Sequence, residues 1–288
     1  MRKRLIAVLG VGLIAAGALA DYPADRKAAL DLARAGKNEE AISAFVKMTE
    51  GKVTDFQKSD ALEQAVLCAL RLQKYDRAAE LAKQIPSVPV SKLCQMRILM
   101  DQRKWQEVVE KFKDEDLSTW PDSIIGEAAW NRGQAALYAK NGEQAVKDLS
   151  KAPDYLNETN AKGLALIDLG SAYVMVKNDD AALEAYRKVY ATGNIYKHCQ
   201  AAANAAGILV RQGKLDEATK ELDKIDMKAV DSRNYWVDNL FIQYGSVLAK
   251  QGKKAEAAAK YNEALKNKDI HPSLKNAAEA GLKALEAQ

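Results

Sequence analysis

The chain has 288 residues and carries 43 Lys plus Arg against 39 Asp plus Glu, a balance that gives no case for a nucleic-acid partner. Alanine is abundant while Gly (16) and Pro (6) are sparse, which describes a helical protein, and three cysteines are an odd count that excludes a full disulfide framework.

The first stretch, MRKRLIAVLGVGLIAAGALADYPADR, contains Gly10-Val11-Gly12-Leu13-Ile14-Ala15, the spacing of a dinucleotide-binding turn. Such a turn needs an amphipathic helix after it, and Leu5 to Ala20 offers no charged or hydrogen-bonding side chain to form a solvent face. Asp31, at the distance where a ribose-binding acid is expected, stands in the helical run KAALDLARAG. An export signal fits instead: Arg2, Lys3 and Arg4 precede an apolar Leu5–Gly17, and Ala18-Leu19-Ala20 offers small residues for cleavage after Ala20. An uncleaved anchor is the alternative, although 16 uncharged residues fall short of the roughly 20 that span a bilayer. Removing residues 1–20 changes the balance from 43 against 39 to 40 against 39, so the basic excess belongs mostly to the signal. The expected location is periplasmic or secreted, and no stable membrane span is expected after cleavage.

From there the chain reads as helices bounded by Pro23, Pro86, Pro89, Pro121, Pro153 and Pro272, each expected outside a helix because proline lacks a backbone donor. Segments such as ALEQAVLCALRL, GEAAWNRGQAALYA and AAANAAGILVRQG place apolar residues at helical spacing, and no stretch alternates with period two. Aligning the short turns GKNEEAI, QKYDRAA, RKWQEVV, KNGEQAV, KNDDAAL, QGKLDEAT and QGKKAEAA brings Ala41, Ala78, Val108, Ala145, Ala182, Ala218 and Ala257 into register. Their spacings are 37, 30, 37, 37, 36 and 39 residues. Four residues after this anchor stand Phe45, Phe112, Leu149, Tyr186, Leu222 and Tyr261, with Ala82 the exception; twelve before it stand Ala29, Gly133, Gly170, Ala206 and Gly245, against Val66 and Met96. Small side chains on a first helix and at the anchor of the second let the two cross closely, and the bulky residue fills the seam to the next pair. The final segment, HPSLKNAAEAGLKALEAQ, turns a stripe of Leu274, Ala277, Ala278, Gly281, Leu282 and Leu285 inward and Lys275, Glu279, Lys283 and Glu286 to water, as a terminal cap requires.

These residues resemble the tetratricopeptide repeat (TPR) family over roughly residues 24–266, and LGSAYVMVKNDDAALEAYRKVY, Leu169 to Tyr190, matches its pattern best. Repeats two and three depart most, where the 30-residue spacing straddles Pro86 and Pro89. The resemblance implies an all-α fold, a right-handed superhelical solenoid of about seven antiparallel helix pairs over residues 21–270, capped by a helix over 271–288 after the signal at 1–20.

Little in the chain suggests catalysis. Neither histidine has partners for a site, and His198 and Cys199, adjacent in a helix, point too far apart to form a dyad. No zinc, P-loop or serine-elbow motif occurs. Asp179-Asp180 reads as a helix N-terminus and Asp114-Glu115-Asp116 as a solvated loop lacking the glycine of a calcium site. Cys68 and Cys94 are expected as buried free thiols, with a bridge between them left open. No enzyme activity, cofactor or metal is therefore expected.

TPR arrays typically bind proteins or extended peptides in a groove lined by their first helices. The positions seven before each anchor, Arg34, Arg71, Asp101, Tyr138, Met175, Arg211 and Lys250, together with Arg97, Trp130 and Gln134, are then expected to face that groove. The arginines would pair carboxylates of the bound segment while Trp130 and Tyr138 supply apolar contact; alternatively they cover apolar surface and stay solvated. The Lys and Asn arrangement by which some members clamp a terminal carboxylate is not matched. A non-catalytic scaffold assembling an envelope or secreted complex is the first expectation, with self-association left open. A glycan-binding or cell-wall-associated module serving an envelope enzyme is the alternative, and a hydrolase with carboxylates converging across repeats is a third.

Overall fold

The computed structural model describes residues 22–227, 230 and 234–287, so the basic and apolar stretch and the cleavage position after Ala20 lie outside the described residues. Within them no strand occurs. The helices are α1 (residues 22–34), α2 (Asn38–Lys47), α3 (Asp55–Arg71), α4 (Tyr75–Lys83), α5 (Val88–Asp101), α6 (Trp105–Phe112), α7 (Asp122–Tyr138) and α8 (Gly142–Leu149). A single turn, α9 (Ala152–Tyr155), precedes α10 (Thr159–Met175), α11 (Asp179–Lys188), α12 (Ile195–Arg211), α13 (Leu215–Leu222), α14 (Tyr235–Lys250), α15 (Lys254–Leu265) and α16 (Pro272–Glu286). Long first helices alternate with shorter second helices, the order of an α-solenoid, and the chain falls into two compact units that divide within α7, after Ala135.

All seven anchors are fully buried, at 0% exposure, as are Ala29, Val66, Met96 and Ala206 at the small-residue position. One turn geometry joins every pair. Five residues before each anchor the backbone enters the left-handed region, at Gly36, Gln73, Arg103, Lys140, Lys177, Gly213 and Gly252. The amide that follows bonds back five residues, as in Lys37 N to Leu32 O at 3.0 Å, Asn178 N to Tyr173 O at 2.9 Å and Lys253 N to Leu248 O at 3.0 Å. This is the Schellman closure, which satisfies carbonyls otherwise orphaned at a helix end.

In the first unit the 30-residue spacing has a local cause. Helix α5 has 14 residues where α3 has 17, and only Gln84–Ser87 connect α4 to it. Ser87 N bonds Ser59 Oγ at 3.1 Å and Ser91 Oγ bonds Ala82 O at 2.7 Å, closing the tight corner. Four of the six prolines lie within first helical turns rather than outside helices: Pro23 in α1, Pro89 in α5, Pro153 in α9 and Pro272 in α16. An amide in that turn has no intrahelical acceptor to lose, so proline costs nothing there and still marks a boundary.

In the second unit the missing glycine side chains make room for tyrosine rings. A Cβ at Gly170 of α10 would overlap the Tyr186 ring of α11, and one at Gly245 of α14 would come within 2.8 Å of Tyr261 of α15. Tyr261 also fills the space over Gly281 of α16, so the residue four past the anchor does close the seam to the next helix. Cap helix α16 buries Leu274 and Ala278, with Leu282 and Leu285 packed at the core edge, but Ala277 is exposed. Its contact stripe is narrower than the sequence suggests because one neighbouring pair, not two, covers it. Asn178, not an aspartate, caps α11 by accepting from Ala181 N; Asp179 and Asp180 occupy its first turn, where carboxylates meet the positive end of the helix dipole.

Candidate partner-binding grooves

The positions seven before the anchors prove to be the last residues of the first helices: Arg71, Asp101, Tyr138, Met175, Arg211 and Lys250 each end their element, and Arg34 ends α1. Cations are favoured there by the helix dipole whatever they bind. Arg34 is exposed and pairs with Asp31 of its own helix at 2.9 Å. Arg71 is exposed and acts on the Cys68 thiol one turn back, where burial raises the pKa and Arg71 opposes it. Lys250 is exposed at the end of α14, and Tyr138 is 54% exposed.

In the first unit, charged side chains bridge successive first helices. Arg26 of α1 grips Asp60 of α3 through Nε at 2.5 Å and Nη2 at 2.9 Å, and the Tyr22 hydroxyl donates to the same carboxylate at 2.8 Å. Burial would raise the Asp60 carboxyl, but the hydrogen bonds from Arg26 and Tyr22 outweigh it and hold it below its ordinary value. Arg97 of α5 donates through Nε (2.5 Å) and Nη2 (2.6 Å) to both oxygens of Glu127 on α7 and through Nη1 (2.7 Å) to Glu63 on α3. Its side chain is only 12% exposed. Burial disfavours the charge, yet the two carboxylates more than compensate and raise its pKa. Arg97 and Gln134 share the wall of an open cavity of about 360 Å³ with Leu67, Met100 and Trp105. Trp130, partly buried, belongs to the same helix α7.

In the second unit, first helices α10, α12 and α14 line an open cavity of about 320 Å³ with Ser171, Asn204, Arg211, Asn239 and Gln243 on its wall. Tyr186 stands behind it, its hydroxyl 3.3 Å from Ser171 Oγ. Arg211 reaches Asp179 of α11 at 3.1 Å while its side chain stays 55% exposed. Neither Asn239 nor Gln243 makes a side-chain hydrogen bond among the described residues, so each offers both an amide donor and a carbonyl acceptor to the cavity. The positions seven before the anchors include Arg211 but not Asn204, Asn239 or Gln243. A signal existed: Asn131, Asn204 and Gln243 each stand fourteen residues before an anchor, Ala145, Ala218 and Ala257.

The remaining reactive groups serve structure. Cys68, Cys94 and Cys199 are free and buried, and burial pushes the Cys94 thiol up to about 12 and that of Cys199 to about 11. His198 contacts the Thr192 carbonyl and stands edge-on to Tyr190; His271 caps α16, its Nδ1 accepting from Ser273 N at 3.3 Å. Glu115 pairs with Lys92, and Asp116 caps the 3-10 turn Leu117–Thr119. Among the described residues no group of three or more His, Cys, Asp or Glu can hold a metal ion, and no helix is long and apolar enough to cross a membrane.

No protein-family model matches the chain, and no curated protein matches it. Solved structures do. A tetratricopeptide repeat protein from Parabacteroides merdae is similar at 14% identity and a TM-score of 0.51, over 91% of this chain and 99% of its own. The C-terminal part of a TPR repeat-containing protein from Cytophaga hutchinsonii gives 15% identity and a TM-score of 0.56, over 87% and 98%. A signal transduction ATPase with a TPR sensor from Pyrococcus horikoshii gives 14% and 0.64, over 91% of this chain and 44% of that one. These likenesses show a TPR-like all-α fold.

Proposed function

We propose that this chain is a non-catalytic scaffold that holds an extended segment of a partner protein against the first helices of its second unit. The carrying observation is the pair of unpartnered amides, Asn239 and Gln243, in an open cavity beside Asn204 and the half-exposed Arg211. An Asn or Gln side chain can accept from one backbone N–H and donate to one backbone C=O, so a row of them reads an extended main chain without fixing its sequence. Arg211 adds a charged donor for a carboxylate of the bound segment. In the first unit Gln134, Trp105 and Met100 line a second open groove. Trp130 and Tyr138 are proposed as apolar contacts and Arg34, Arg71 and Lys250 as charged contacts of the groove, whereas Arg97 shapes its groove by fixing Glu63 and Glu127. The apolar Leu5–Ala20 stretch supports action after export, in an envelope or secreted assembly.

The test is a photo-crosslinking residue at Gln243, compared with one at Lys275 on the outer face of α16. A partner captured from Gln243 alone, whose affinity falls at least tenfold in Asn239→Ala/Gln243→Ala, is the expected result. Equal capture from Lys275, or unchanged affinity, would exclude this groove.

A further inference from the structure

A second, chemically different cavity opens where α3, α5 and α7 begin in the first unit. It holds about 450 Å³, and its apolar wall comes from Phe56, Pro86, Val90 and Ile124. Phe56 is 80% exposed and is the most exposed large apolar side chain among the described residues; Val88, beside the lining residue Ser87, is 60% exposed. The backbone that carries Phe56 is fixed. It sits in the first turn of α3, which Thr54 and Gln57 lock reciprocally, Thr54 N donating to Gln57 Oε1 at 2.9 Å and Gln57 N to Thr54 Oγ1 at 3.2 Å. A solvent-facing aromatic on a capped turn, beside an apolar hollow, is the form of an interface anchor.

The polar part of the wall has one sign. Asp55, Asp60 and Glu63 line the cavity and no Lys or Arg does. Arg26 and Tyr22 occupy both Asp60 oxygens, and Arg97 occupies Oε1 of Glu63, which leaves Glu63 Oε2 and the whole Asp55 carboxylate as acceptors. We propose that this cavity docks a protein segment that carries a bulky apolar residue next to a Lys or Arg, the apolar side chain entering against Phe56 and Val90 and the cation pairing with the Asp55 carboxylate, in a wall whose other free acceptor is Glu63. The site is separate from the amide groove of the second unit and does not depend on it.

The test uses fluorescein-labelled Gly/Ser octapeptides with a central Leu-Arg pair or a central Leu-Glu pair, titrated by fluorescence anisotropy against the full chain and the chain cleaved after Ala20. Both forms are expected to bind the Leu-Arg peptide, with the Leu-Glu peptide at least tenfold weaker. Phe56→Ser and Asp55→Asn, both at the surface of a capped turn, should each weaken binding at least fivefold with unchanged circular dichroism, and Asn239→Ala should not. Equal binding of the two peptides, no binding, or indifference to Phe56→Ser overturns the proposal. Binding by the cleaved form alone would give the cavity to the chain's own Arg2–Leu9 segment, and a dimer in sedimentation that Phe56→Ser dissolves would give it to a second copy. Either result also overturns it.

Discussion

Arg97 stands between Glu63 and Glu127, each bonded to it at 2.7 Å or less. Removing the guanidinium leaves two carboxylates facing each other on helices α3 and α7. Breaking a buried pair costs 3–5 kcal/mol, and Glu127 still meets water, so Arg97→Ala should cost about 3 kcal/mol by urea denaturation. A partner that binds this variant poorly therefore says little about direct contact, and Arg211→Ala, at a half-exposed side chain, is the cleaner probe of the groove. Asp60 and Glu221 make a related prediction about pH. Burial alone would raise both carboxyls, but Arg26 with Tyr22 at one and Lys224 with Arg187 at the other hold them below their ordinary values. The stability they supply is complete above the unfolded carboxylate values, about pH 4, and is lost as pH falls through the lower folded values. Asp60→Asn should therefore lower Tm at pH 6 and converge on the parent at pH 2. The cysteines complete the residue scale: buried and protonated, they should react with a thiol reagent at pH 8 only after denaturant is added, and then all three together.

The interhelix turns show what a single element yields to sequence reading. Gly36, Gly213 and Gly252 announce a left-handed C-terminal position, but Gln73, Arg103, Lys140 and Lys177 hold the same conformation without glycine. The pairs were legible because the anchors, Ala41 to Ala257, must be small or modest wherever two helices cross. The turns' backbone was not, because a Schellman closure can impose positive φ on a residue that would not choose it. That imposition has a cost. Lys140→Gly and Lys177→Gly should each stabilise by roughly 0.5–1 kcal/mol, the left-handed penalty less the extra entropy of an unfolded glycine. Gly213→Ala should destabilise by a similar amount, and thermal melts of the three variants check the sign. The groove was legible only in part. Arg211 and Gln134 follow from position in the repeat, and the amides at Asn204 and Gln243 were readable by the same rule. The bonding of Arg97 was not, because its partners stand 34 and 30 residues away on two other helices.

At the scale of the whole chain, a stack of helix pairs is held by contacts between neighbours, so energetic coupling should be short-ranged along the sequence of repeats. Tyr261 makes this testable because its ring lies against two glycines from different helices, Gly245 of α14 and Gly281 of α16. An alanine in an exposed helix interior normally gains about 0.5–1 kcal/mol over glycine. Here its Cβ would stand 2.8 Å from the ring at Gly245 and 2.5 Å at Gly281. The ring is 5% exposed and can move only by disturbing its packing, so overpacking should reverse the sign and each variant should lose about 1–3 kcal/mol. Once one alanine has displaced the ring, the second finds the space already vacated, and Gly245→Ala/Gly281→Ala should cost at least about 1 kcal/mol less than the sum of the single changes. Gly170→Ala presses on Tyr186, in an earlier repeat, and combined with Gly281→Ala it should add to within about 0.5 kcal/mol. Tyr261→Leu, which withdraws the ring atoms both glycines face, should restore most of the loss in the double variant and none of that in Gly170→Ala. If the first double is additive instead, or the second strongly coupled, the stack is not held by neighbour contacts of this kind.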